Sequence, residues 1–201
     1  MNLILLGTLA SLGAGLMTGI GAVPVLFGRS ISRRFNDALL GFAAGVMLSA
    51  SYFSLILPGI EAGQKLYGSV PAAAFTAAGG VVLGAIVIAA LNQVLPHQHF
   101  VKGPEGADPG ALAKIWLFVL AITIHNFPEG MAVGIGFGGG DIANGMSLAM
   151  GIGLQNAPEG LAVAVALRTH GYGKLPAFLI ALATGLVEPL GGLLGISALQ
   201  I

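Results

Sequence analysis

The chain contains no cysteine, which excludes disulfides and rules out thiolate as a metal ligand. Any metal must be held by nitrogen, oxygen or thioether. Charge is scarce too. Only 8% of the 201 residues are Asp, Glu, Lys or Arg, where a soluble domain carries about 25%. So few charges cannot cover a water-facing surface. Eight acidic and eight basic residues cancel, and no basic cluster suggests nucleic acid. What the chain does have is apolar: 56% of its residues are hydrophobic, and the mean hydropathy is +0.92. It is therefore an integral membrane protein. Glycine is abundant, at 33 residues. In a membrane, small residues let helix backbones approach closely.

Six apolar stretches are long enough to cross, at roughly 20 residues each. They lie near 3–27, 37–60, 71–95, 112–137, 142–167 and 175–199. The expected fold is all-α, a polytopic transmembrane helix bundle forming a single domain over 1–201. Helices satisfy their own backbone within lipid, and no alternating pattern of barrel strands is present. The first stretch has no basic residue before it and no convincing cleavage site, so it reads as a retained helix rather than a signal peptide.

Orientation follows from the basic residues. Arg29, Arg33 and Arg34 lie in the first loop, Lys102 and Lys114 in or beside the third, and Arg168 and Lys174 bracket the fifth. Lys65 alone falls in an even loop. By the positive-inside rule, loops one, three and five are cytoplasmic and both ends of the chain face out.

The acids divide differently. Asp37, Glu61, Glu105, Asp108 and Asp141 lie at span ends or in loops, whereas Glu129, Glu159 and Glu188 lie near the middle of apolar runs. An ionisable side chain at that depth costs roughly 2.5–3.5 kcal/mol or more unless it is paired or lines a cavity. The segment His125-Asn126-Phe127-Pro128-Glu129-Gly130 is repeated as Gln155-Asn156-Ala157-Pro158-Glu159-Gly160. His125 and Glu129 share one helix face, as do Gln155 and Glu159. Asn126 and Asn156 sit beside them, and the last span adds Glu188. One imidazole, three carboxylates and amide oxygens make a nitrogen/oxygen shell for a divalent cation. Three unpaired carboxylates could not all stay ionised so close together. Two bridged cations, or one cation and a proton, would resolve that.

Proline accompanies each carboxylate. Pro128 and Pro158 cannot donate to the carbonyls of Ile124 and Leu154, so a kink is expected in each helix. Pro189 follows Glu188 directly. Broken helices at the midplane are a device of transporter binding sites.

The paired motif, with Glu188-Pro189-Leu190-Gly191-Gly192 in the next span, resembles the ZIP family of divalent-metal transporters. Gln155 at the head of the second copy and the continuation Leu161-Ala162-Val163-Ala164 are similar to its GufA branch. So are Ala22-Val23-Pro24-Val25-Leu26-Phe27 and Leu39-Leu40-Gly41-Phe42-Ala43-Ala44-Gly45. The resemblance implies a mid-membrane two-metal site. His125, Glu129, Gln155 and Glu159 would serve one cation, and Asn126, Glu129, Asn156, Glu159 and Glu188 the other. It implies zinc or a similar cation (cadmium, iron or manganese) as substrate, moved towards the cytoplasm by an elevator-like displacement. It also implies a bacterial inner membrane as location. The expected partners are divalent metal ions and the lipid bilayer, with a second copy of the chain left open. The family has eight spans, so two C-terminal spans are expected to be missing here. Asn156 stands where some relatives carry Asp.

Weaker signals remain. Met47, Ser54 and Glu61 recur at i, i+7 and i+14 on the second span. They read either as an access path for the cation or as packing, with Asp37 a weaker candidate at the opposite end. His97 and His99 in the third loop read equally as a weak metal site or as solvated residues. His170 reads as a loop residue. Two other classes are weighed against the transporter. An intramembrane metallohydrolase would want two histidines on one helix turn plus a general base, and the spans hold one histidine. A non-transporting metal sensor or partner subunit stays open.

Overall fold

The computed structural model describes residues 2–28, 32–94, 97–99, 103–105 and 114–199. Helix α1 (Leu3–Ala22) starts at Asn2, whose side chain accepts from the Leu5 N–H at 3.3 Å. A 3-10 turn (Val23–Phe27) extends it, and Gly28 in the left-handed region ends it. The second span is one continuous rod made of α2 (Arg33–Ala50), a π turn (Ser51–Ile56) and α3 (Leu57–Tyr67). Then come α4 (Val70–Val94), α5 (Lys114–Gly138), α6 (Ile142–Thr169), α7 (Lys174–Gly185) and α8 (Glu188–Ser197). Helices α7 and α8 form the last span, broken between them. The third loop holds a short antiparallel pair, β1 (His97–His99) with β2 (Gly103–Glu105). That pair is a small addition to an otherwise all-α polytopic fold.

Five of these stretches are long and apolar enough to cross a membrane: Leu3–Phe27, Asp37–Tyr67, Val70–Val87, Ile115–Gly138 and Lys174–Ser197. Helix α6 is the least obvious of the expected six. It runs for 28 residues, ample for a crossing, but Asn144, Gln155, Asn156 and Glu159 dilute its apolar character. Its neighbours resolve the difficulty. Helices α1, α2, α5 and α7 pack around it, and most of its middle is buried. A polar helix can sit at membrane depth when protein, rather than lipid, surrounds it.

The bundle of α1, α5, α6 and α7–α8 has an inverted pattern. On α1, Gly7, Ser11, Ala14, Gly15 and Thr18 are buried, while Leu5, Leu9, Leu16 and Ile20 are exposed. Small and polar residues face inward and large apolar ones face outward, as lipid requires. Two buried apolar clusters flank the polar middle. One gathers Ile115, Phe118, Leu161, Val163 and Leu167. The other gathers Val133, Phe137, Leu148, Ile152 and Ile196. At the first of these ends, Trp116 donates to the Tyr172 hydroxyl at 2.7 Å beside Arg168 and Lys174. Amphipathic aromatics with basic residues suit a membrane–water boundary.

The prolines behave differently from one another. Helices α5 and α6 continue through Pro128 and Pro158 without interruption. The expected breaks at those two positions are absent. Packing on both sides holds the helix in register past one missing donor. Pro189 alone coincides with a true break, at Leu186–Val187 between α7 and α8.

Candidate metal centre

Helix periodicity puts His125 and Glu129 one turn apart on α5, and their Nε2 and Oε1 atoms lie 3.2 Å apart. Ligand atoms of His125, Glu129 and Glu159 all fall within 4.8 Å of one another. Small side-chain adjustments would bring them to bonds of about 2.1 Å around a zinc ion. Gln155 donates its amide N–H to Glu129 Oε1, which turns its own carbonyl oxygen free.

A second group lies on the other side of the carboxylates. Asn156 Nδ2 donates to the Ala14 carbonyl at 2.9 Å and to Glu188 Oε1 at 2.5 Å. Both amide protons are thereby committed, so Asn156 Oδ1 is left as an acceptor without a partner. The Ser11 hydroxyl donates to the Glu188 carbonyl at 2.8 Å and anchors the start of α8.

Burial sharpens the picture. Asn126, Asn156 and Glu188 are 0% exposed. Glu129 Oε2, Glu159 Oε2, Glu188 Oε2, Asn126 Oδ1, Gln155 Oε1 and Asn156 Oδ1 are buried and accept no hydrogen bond. A buried polar atom without a partner is uncommon and costs about 1–3 kcal/mol. These oxygens come from three helices and gather where the motifs align. They are electron-pair donors awaiting a cation or proton.

Two glycines make the convergence possible. A Cβ on Gly130 would collide with the Glu188 carbonyl, and one on Gly160 with the Thr18 carbonyl. Each glycine follows a motif glutamate and lets a neighbouring backbone approach. The bulk-removing role expected of this position therefore has a concrete partner in each copy.

His125 is the outlier in exposure, its side chain 43% accessible. It faces a cavity of about 320 Å³ lined by Met47, Ala50, Ser51 and Leu55 of the second span. Glu129, Gln155, Leu148 and Ile152 supply other parts of the lining. Of the expected stripe on the second span, Met47 reaches this cavity. Ser54 is buried but is not part of the lining, and Glu61 is exposed farther along. The π turn explains the difference. Its extra residue rotates everything after Ser51 relative to a regular helix, so Ser51 and Leu55 take the wall. Asp37 is exposed. His170 is exposed near the α6 C-terminus, its Nδ1 2.8 Å from the Ala166 carbonyl. His97 and His99 form β1, and their side chains lie outside the described part of the structure.

Sequence reasoning missed the contribution of α1. Ser11, the Ala14 carbonyl and Thr18 all border the site, and Thr18 Oγ1 is buried without a partner. The signal was present as Ser11, Gly15, Thr18 and Gly19, small residues recurring on one helix face.

The fold and this donor set define a polytopic membrane protein with a buried cluster of cation-ligand side chains. The profile of the family described as ZIP Zinc transporter matches residues 105–199. The chain is 43% identical over 195 residues to zinc transporter GufA of Myxococcus xanthus, covering 97% of this chain and 77% of that protein. It is 47% identical over 179 residues to zinc transporter ZIPB of Bordetella bronchiseptica, covering 89% and 58% respectively. Zinc transporter ZupT of Corynebacterium aurimucosum is 35% identical over 193 residues, covering 93% and 72%. The chain belongs to the ZIP family, with GufA among its relatives. Membership in a transporter family also decides against the intramembrane hydrolase.

Proposed function

We propose that this chain moves zinc across the membrane, towards the cytoplasm, through two adjacent cation positions. The observation that carries the reading is the set of buried, unpartnered oxygens on Asn126, Glu129, Gln155, Asn156, Glu159 and Glu188. In this reading His125, Glu129, Gln155 and Glu159 hold one cation. Asn126, Glu129, Asn156, Glu159 and Glu188 hold the other. Glu129 and Glu159 bridge, which answers the mutual repulsion of the three carboxylates. The 320 Å³ cavity beside half-exposed His125 supports a route to the first position. Cadmium, iron and manganese suit the same donor types.

Movement of the bundle against the second and third spans is the favoured mode. The bundle helices contact one another extensively, whereas α4 packs chiefly on α3. A body with dense internal contacts and a lightly attached flank is suited to rigid displacement. Orientation follows the basic residues: Lys174 inside and Lys65 outside.

Zinc flux into liposomes containing the purified chain tests the activity. Wild type should load zinc and Glu129→Ala should not. Zinc binding without flux would instead favour the non-transporting reading. Single cysteines replacing Lys65 and Lys174 test orientation, since the chain has no cysteine of its own. An impermeant maleimide on intact cells should label position 65 alone. Labelling at 174 instead would reverse the proposed direction.

A further inference from the structure

The second span departs from regular helix geometry where it passes the cavity. The π turn at Ser51–Ile56 is followed by Pro58 in the first turn of α3. Proline has no N–H, so the Ser54 carbonyl loses the donor four residues ahead. At membrane depth an unpaired carbonyl is costly. Here a side chain from another helix supplies the bond: Asn144 Nδ2 donates to the Ser54 carbonyl at 3.1 Å. Asn144 is itself fixed. It lies in the first turn of α6, and its N–H donates to the Asp141 capping carboxylate at 3.0 Å.

This bond joins two walls of one cavity. Ser51 and Leu55, on either side of Ser54 in sequence, line it from the second span. Leu148, Ile152 and Gln155, later on the helix that carries Asn144, line it from α6. His125 and Glu129 form another part of its wall. The remaining contacts between these walls are apolar side chains, which slide without a directional penalty. A hydrogen bond to a carbonyl that Pro58 has freed is different. It fixes register and distance, and parting the walls leaves the Ser54 carbonyl bare.

We propose that Asn144 is a positioning residue that sets cation access to the His125–Glu129 half of the site. It does so by latching the second span to α6 at the Ser54 carbonyl. Opening the latch parts the walls and admits water and the cation; closing it covers them. The significance of the cavity rests on the ligand reading above, but the latch itself is a statement about two helices and can be measured without metal.

The test uses a single cysteine at Ala132, a part-buried cavity residue on α5. Ala181→Cys serves as control, since Ala181 is 0% exposed in a cluster away from the cavity. The full chain in liposomes is labelled with a small charged thiol reagent in the presence of a chelator. Asn144→Ala should speed labelling at position 132 about fivefold, the factor one hydrogen bond of ordinary net strength controls. Labelling at position 181 should not change. Pro58→Ala, which restores a competing N–H for the Ser54 carbonyl, should act in the same direction but less strongly. It leaves Asn144 in place, so it guards against a variant that fails to fold. Equal rates at position 132 in wild type and both variants would overturn the latch. So would an equal acceleration at both reporter positions, which would mean general loosening. Zinc binding measured separately in the unlabelled chain bears on the ligand reading alone. Its loss would count against His125 and Glu129 as ligands and not against the latch.

Discussion

The four-span bundle and the α3–α4 flank are built from similar residues and put them to opposite use. In the last span 39% of the most apolar window is buried, against 6% in the third. Both regions are rich in glycine and alanine. In the bundle, Gly130, Gly160, Gly191 and Gly195 each press against a backbone carbonyl of another helix. On α4, Gly79, Gly80 and Gly84 face open space. Composition alone therefore does not mark the core of a membrane protein. Within lipid, burying an apolar side chain gains little, so packing and polar pairing decide which helices associate. The bundle has both. The flank is held by few contacts, and such elements shift at low cost.

The largest expected effect separates these two kinds of glycine. Gly130→Val must push the Glu188 backbone aside, and no rotamer relieves a clash at Cβ. It should lower stability by about 3 kcal/mol or more, at the upper end of overpacking costs. Gly84→Val on α4 should stay within about 0.5 kcal/mol. Thermal unfolding of the detergent-solubilised variants measures both. Comparable losses at the two positions would erase the distinction between core and flank.

Much of the site was legible before the fold. The two motif copies, their depth and the face shared by His125 and Glu129 follow from spacing alone. The contribution of α1 did not, because it acts through backbone. The Ala14 carbonyl that orients Asn156 has no signature in an alanine. Register on the second span was misread for a related reason. A π turn is an extra residue in one turn, and nothing in Ser51-Tyr52-Phe53-Ser54 announces it. Pro128 and Pro158 misled in the other direction. Local chemistry predicts breaks, and tertiary packing carries α5 and α6 through them.

A second effect, smaller in stability but larger in function, lies within the bundle. Glu129 sits between the two donor groups, whereas Asn126 belongs to one. Glu129→Ala should weaken zinc at both positions, each on the order of 100-fold, since even residues that merely orient ligands cost 10–100-fold. Asn126→Ala should spare the position shared with His125. Zinc titration of the purified variants counts the equivalents. Loss of a single equivalent in Glu129→Ala would contradict bridging and separate the site into independent halves.

The smallest effect asks whether a hydroxyl in the bundle differs from one on the flank. Thr76 on α4 donates back to the Ala72 carbonyl of its own helix at 3.0 Å and is exposed. That bond returns a donor to a carbonyl the helix already satisfies. Ser11 donates across helices to the Glu188 carbonyl, and it is 0% exposed. Its bond fixes the start of α8, where Pro189 leaves the last span broken and the Glu188 side chain must point at Asn156. Losing it removes about 1 kcal/mol of hydrogen bonding and lets the carboxylate drift. Ser11→Ala should then weaken zinc about tenfold at the position Glu188 serves, within the range for residues that orient ligands. The position that His125 serves should be unchanged, and Thr76→Ala should change neither. Ser11→Thr keeps the hydroxyl and should recover part of the loss. A uniform drop at both positions in Ser11→Ala would mean that α1 supports the bundle generally. A drop confined to one means that it aims a ligand.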